Sequence, residues 1–313
     1  MKKLTQFLLC VAISILAFFS SLNAQNLDVD DAYRTEIFST DGSPSVDIST
    51  SGGAIITEGH SEDHVRVYML VRRGNQTLSP SDVDLDDFEI EIRQDGDRVI
   101  ARAERKNSGV MGWFSSSNRT SISFVVYAPE ASRIDGSTSG GSVSAVNFSE
   151  DVSLRTSGGS VRAEAIRGNA DLRTSGGSIS LRDIQGDVEA RTSGGSISAD
   201  GVTGFADLRT SGGSIRLDDI SGGIEARTSG GSIRAYLADF RDDVDLRTSG
   251  GSITIDMPET ENFDMDLAGN RVNVQLRNFT GSSDRDRVEG TVGSGGPMLA
   301  ARTSGGSVNV NYN

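Results

Sequence analysis

Thr-Ser-Gly-Gly recurs nine times in this chain, with its Thr at 50, 138, 156, 174, 192, 210, 228, 248 and 303. From 138 to 228 the spacing is 18 residues at every step, then 20, then 55. A Gly pair every 18 residues cannot sit inside helices without breaking them. A fixed period of this size belongs to repeat architectures, in which each unit buries its apolar face only against its neighbours. The 55-residue step is close to three further units whose motifs have decayed.

One unit, residues 187–204, holds two stretches of period-2 alternation separated by Gly-containing turns. Val188, Ala190 and Thr192 share one face, and Glu189 and Arg191 share the other; after the turn Ile197 and Ala199 point inward and Ser198 outward. Eighteen residues at about 3.3 Å each make a coil about 60 Å around, which suits two short strands and two corners. Large and small residues also alternate between units: Leu172, Ala190, Leu208, Ala226 in one row and Ala163, Leu181, Ala199, Leu217 in another. In coils stacked about 4.8 Å apart, each Leu would lie over an Ala and keep the core volume constant; a 36-residue duplication would leave the same pattern. A chain of antiparallel hairpins with Gly-Gly turns is the rival architecture, but it does not require Arg and the flanking Ser to recur in every unit. The expected fold is therefore all-β, a parallel β-solenoid (β-helix) with coils of about 18 residues and a less regular N-terminal β cap. Its handedness is open.

The first 24 residues read as a cleavable signal peptide: Lys2 and Lys3, an apolar run from Phe7 to Phe19, and Leu22-Asn23-Ala24 before Gln25. Cys10 lies within that run, so the exported chain would hold no cysteine and no disulfide. We expect residues 25–135 to form the cap region, 136–256 the regular array and 257–313 degenerate coils. The 44 acidic against 30 basic residues give a net charge of −14, which argues against nucleic acid as a partner. No transmembrane span is expected after signal cleavage.

Arg-Thr-Ser-Gly-Gly-Ser-Ile at 18-residue spacing resembles the bacterial β-strand-repeat family labelled "putative adhesin", a domain of unknown function related to auto-transporter-head GIN domains. The segment before the array fits the resemblance too: Thr50-Ser51-Gly52-Gly53-Ala54-Ile55, then Val65-Arg66-Val67-Tyr68-Met69, then Ile122-Ser123-Phe124-Val125-Val126-Tyr127-Ala128-Pro129. The resemblance implies a surface or envelope protein and supplies no catalytic residues. By analogy, some members of the family it resembles look associated with envelope-stress genes.

Chemistry-bearing motifs are few. With one Lys beyond the leader and no Cys, thiol and lysine-nucleophile mechanisms have almost no candidates. His60 and His64, in His-Ser-Glu-Asp-His, read as a solvated loop or as metal ligands, and Asp-rich corners such as 183–187 and 218–222 read as solvated turns or as calcium ligands. We expect no catalytic residue, no cofactor and no metal. Arg155, Arg173, Arg191, Arg209, Arg227 and Arg247 occupy one repeat position, so stacking would set them in a row, with Asp171, Glu189, Asp207, Glu225 and Asp245 two residues earlier on the same face. That row reads either as a self-neutralised solvated face or as a multivalent strip for an anionic surface polymer. Trp113 and Phe114 read either as a cap over an open end or as a partner contact. The functional expectation is an exported, non-enzymatic solenoid, periplasmic, cell-surface or extracellular. It would present a repetitive surface to a cell-surface polysaccharide or an envelope protein. The alternatives are a structural or stress-associated envelope protein with no adhesive role and a carbohydrate-active β-helix enzyme.

Overall fold

In the computed structural model each regular coil gives one strand to each of two sheets, for example Val188–Thr192 to one and Ile197–Thr203 to the other. The structure describes residues 28–83, 85–106 and 120–312. The expected signal peptide, Trp113 and Phe114 lie outside the described residues. The described residues from 31 onward fall in the larger of two compact units. In the larger unit, two 14-stranded sheets enclose one hydrophobic core. The sheet holding the Arg positions is called the arginine sheet below.

Neighbouring coils pair in parallel, in the register that the repeat sets. Arg191 lies beside Arg209, Thr192 beside Thr210, and Ile197 beside Ile215. The Leu-over-Ala expectation holds: Leu208 pairs with Ala190 on one side and Ala226 on the other, and Leu217 with Ala199 and Ala235. All six are fully buried. The parallel pairing rules out the hairpin rival across the array.

The opposite sheet departs from simple alternation. Asn147, Ala165, Asp183, Gly201 and Asp219 lie one coil apart and have positive φ, between 53° and 69°. Each puts a left-handed kink in its strand without shifting the register between coils 143–221, after which Phe148, Ile166, Ile184, Val202 and Ile220 turn inward as an additional core row. Asp183 and Asp219 therefore belong to strands, Ile179–Gln185 and Ile215–Ser221, and the corners come after them. The expected Asp-rich corners begin inside strands, for this reason.

Stack order differs from chain order at both ends. Strand Ser45–Thr50 lies between Arg98–Arg105 and Arg133–Thr138, and Ile55–His60 lies between Thr120–Pro129 and Val143–Phe148. Strands Arg98–Arg105 and Thr120–Pro129 thus lie outside the Thr50 coil in the stack although they follow it in sequence. Antiparallel strands then close the end: His64–Arg73 on Thr120–Pro129, Arg34–Ser39 on His64–Arg73, and Phe88–Asp95 on Arg98–Arg105. At the other end Met298–Thr303 inserts between Val244–Thr248 and Phe263–Ala268, and Ser307–Tyr312 inserts between Ile253–Met257 and Arg271–Asn273. The 55-residue step is therefore not three stacked coils. It is an excursion that builds the outer coil, adds antiparallel strands Arg287–Val292 and Phe279–Ser283, and returns to fill the place beside Thr248.

Candidate ligand-binding face: the arginine ladder

The corner that positions the ladder explains each residue of the motif. Thr192 Oγ1 donates to the Gly177 carbonyl of the preceding coil at 2.8 Å and accepts the Gly195 N–H at 3.3 Å. The same pair of bonds recurs at Thr156, Thr174, Thr210, Thr228, Thr248 and Thr303. Each hydroxyl is buried but satisfied, which is why this inward position is Thr and not Val. Gly195 packs so closely that a Cβ there would lie 2.1 Å from the Gly177 oxygen, whereas one on Gly194 would lie 3.2 Å from Gly176. The second Gly is demanded by the close approach of coils, not by positive φ. Ser196 Oγ accepts the Ser214 N–H at 3.2 Å, and the Ser193 carbonyl accepts the Gly212 N–H at 3.0 Å. The corners therefore stack without large side chains and leave a ridge of Ser and Gly beside the arginines.

On the outward face of the arginine sheet, guanidinium and carboxylate rows interlock. From Arg173 to Arg227 each Arg bridges the acid of its own coil and that of the next. Arg173 meets Asp171 at 2.9 Å and Glu189 at 2.6 Å, Arg191 meets Glu189 at 3.1 Å and Asp207 at 3.4 Å, and Arg209 meets Asp207 at 2.8 Å and Glu225 at 2.5 Å. Arg227 continues to Glu225 and Asp245, and Arg155 starts the row on Asp171 at 2.6 Å. The hydrogen bond to Asp171 holds the Arg173 guanidinium above its ordinary range. The arginine side chains remain about two-fifths exposed, so each pair contributes under about 1 kcal/mol. Planar guanidinium suits this two-sided bridging as a lysine ammonium does not.

Two members of the face are absent from the sequence expectation. Arg302 pairs in register with Arg247 and extends the row, as the intact Arg302-Thr303-Ser304-Gly305-Gly306 signals. Ala300 pairs with Asp245 on one side and Asp266 on the other, so a methyl stands where most other coils carry a carboxylate. Arg247 then contacts the acid of its own coil, Asp245, at 2.8 Å, and Arg302 reaches Asp266 in the outer coil. An open groove follows this stretch, lined by Arg227, Arg247 and Arg302 and by corner Ser229, Ser249 and Ser304.

The histidines lie elsewhere, at the ends of strands Ile55–His60 and His64–Arg73, with ring centroids 4.9 Å apart. His60 Nδ1 accepts the Glu62 N–H at 3.0 Å, while its Nε2 is buried without a hydrogen-bond partner. Burial, then the neighbouring His64, pushes the His60 pKa down. Among the described residues no three His, Cys, Asp or Glu side chains group as metal ligands would, and no helix is long and apolar enough to cross a membrane. What the arginine face can do chemically is present paired charges and hydroxyls at a fixed repeat to an extended ligand.

Three solved structures match the chain. A "putative adhesin" from Bacteroides fragilis is 12% identical, covering 88% of this chain and 96% of its own, with a TM-score of 0.44. A "putative cell adhesion protein" from Clostridium sporogenes is 8% identical, covering 90% and 99%, with a TM-score of 0.26. A "putative lipid binding protein" from Parabacteroides distasonis is 15% identical, covering 88% and 96%, with a TM-score of 0.41. No curated protein matches the chain. The model of the Toastrack DUF4097 family matches residues 73–311, from the N-terminal antiparallel strands to the last coil. With that match over most of its length, the chain belongs to the Toastrack DUF4097 family.

Proposed function

We propose that this protein is an exported, non-enzymatic binding scaffold whose arginine face engages an acidic polymer of the cell surface or envelope. The observation that carries this reading is the unbroken run of seven arginines from Arg155 to Arg302, in register and partly exposed. Seven equivalent, rigidly spaced groups suit a repetitive ligand, because weak contacts at each coil combine into avidity. Replacing Arg191, Arg209 and Arg227 together with Gln tests it. The expected outcome is weaker retention on acidic surface polysaccharide with the β-sheet circular dichroism spectrum preserved; unchanged retention sinks the reading. Cell fractionation with N-terminal sequencing of the exported chain tests the leader, expected to end at Ala24.

A second reading, a structural envelope protein with no adhesive role, draws on the ion pairing. From Arg173 to Arg227 every arginine already bridges two carboxylates. On this reading the triple variant lowers stability and leaves every surface interaction unchanged.

A further inference from the structure

Between neighbouring arginines of the row, the carboxylate is missing at one coil junction. In the regular array a carboxylate sits between each pair of neighbouring arginines: Glu189 touches Arg173 and Arg191, Asp207 touches Arg191 and Arg209, and Glu225 touches Arg209 and Arg227. The corresponding residue between Arg247 and Arg302 is Ala300, partly exposed on the outward face. These two arginines are adjacent in register; Arg247 contacts Asp245 and Arg302 contacts Asp266, with Asp245 and Glu289 also acting on Arg302 at longer range. Both side chains are nearly half exposed, more than Arg191, Arg209 or Arg227. The other interruption of the acid row, Ser153, differs: Arg155 there faces Ser137, not a second arginine, in the preceding coil.

We propose that Arg247 and Arg302 together bind a sulfate or carboxylate group of an acidic polysaccharide, the group occupying the place that a coil's own carboxylate takes elsewhere in the ladder. Two guanidinium groups one strand spacing apart, about 4.8 Å, can both donate to one oxyanion, as neighbouring arginines do to the acids of the array. The groove past Arg227, Arg247 and Arg302, with Ser249 and Ser304 along it, supplies a path for the sugar chain and hydroxyl donors beside it. The register explains why one junction is distinct: the last coil enters the stack out of chain order, and it sets an Arg without the preceding acid directly beside the Arg of Val244–Thr248. This inference rests on the scaffold reading above and narrows it to one junction.

Filling the ladder tests it. Ala300→Asp should restore the carboxylate and compete with the ligand while leaving the fold intact. The probes are a heparin-derived hexasaccharide, for sulfate, and trigalacturonate, for carboxylate, titrated by calorimetry at low salt. The expected result is an affinity for at least one probe that falls about tenfold or more in Ala300→Asp, and likewise in Arg302→Gln should Ala300→Asp not fold. Which probe binds identifies the anion. Wild-type affinity retained in a folded Ala300→Asp protein overturns the junction site. If Arg191→Gln, Arg209→Gln and Arg227→Gln together abolish binding while Ala300→Asp does not, the scaffold reading stands and this inference falls. No binding of either probe by the wild-type chain overturns the junction site, and retention on cell-surface polysaccharide then judges the scaffold reading separately.

Discussion

At the scale of the residue, the motif is a set of solutions to one problem: bringing two coils to within a strand spacing at a corner. Thr192 ties its coil to the carbonyl of Gly177, and Gly195 has no Cβ because the same carbonyl lies in the way. Gly195→Val should therefore destabilise the array by more than about 3 kcal/mol, since backbone and not a movable side chain must yield. Ser198→Val on the outward face should change stability by less than about 0.5 kcal/mol in urea unfolding. Comparable losses at the two sites would remove the corner argument. His60 makes a second prediction. Its folded-state pKa is depressed, so neutral His60 is favoured by folding. Stability from this group is present above the unfolded value of about 6.5 and is lost as pH falls through the lower folded value. Glu58, whose carboxyl burial raises, works in the opposite sense, so the His60 contribution is read by difference. His60→Gln should remove part of the loss in melting temperature between about pH 7 and pH 5. Parallel curves for the two proteins would contradict it.

At the scale of the element, a strand here is defined less by its own propensity than by what lies above and below it. Leu208 fills space that Ala190 and Ala226 leave free. Leu208→Ala would put three small residues in one row, so it should cost about 2–5 kcal/mol in chemical denaturation; a cost below about 0.5 kcal/mol would place Leu208 outside the core. The two strands of a coil were legible in the sequence through alternation and the Gly pairs. The left-handed kink in the opposite sheet was not, because period-2 reasoning treats Arg182 and Asp183 as opposite faces. The signal existed in Asn147, Asp183, Gly201 and Asp219, residue types that tolerate positive φ, at 18-residue spacing. Ala165 in the same row obscured it. The arginine row was legible for the same reason as the strands, and its partners followed from parity.

At the scale of the whole molecule, the ends decide what the array alone does not. A stack of identical coils would present pairing edges at both ends; here antiparallel strands cover three of the four sheet edges, and the fourth ends on the short parallel strand Arg271–Asn273. The last coil is held on both sides, between Val244–Thr248 and Phe263–Ala268. Truncation after Pro297 should therefore expose Val244–Thr248 and Ile253–Met257 and loosen the outer coil, while coils over 152–203 keep their protection because contacts pass only between neighbours. Hydrogen exchange reads this directly. Unchanged protection of Ile253–Met257 in the truncated chain would mean that the outer coil moves in to replace the one removed.

Arg-Thr-Ser-Gly-Gly-Ser-Ile at a constant period determined, without coordinates, the solenoid, the faces of its strands and the family, because stacked coils turn a sequence period into a spatial register. Arg302 was visible in the same motif, yet its neighbour was not: 55 residues separate it from Arg247, and nothing local records which coil it joins. Only the tertiary structure decided that the chain leaves the stack, builds its outer coil and returns to insert the last one. Backbone pairing is indifferent to chain order so long as register and core volume match, so the order of coils is settled by closure of the ends. That closure is what sets Ala300 between two arginines.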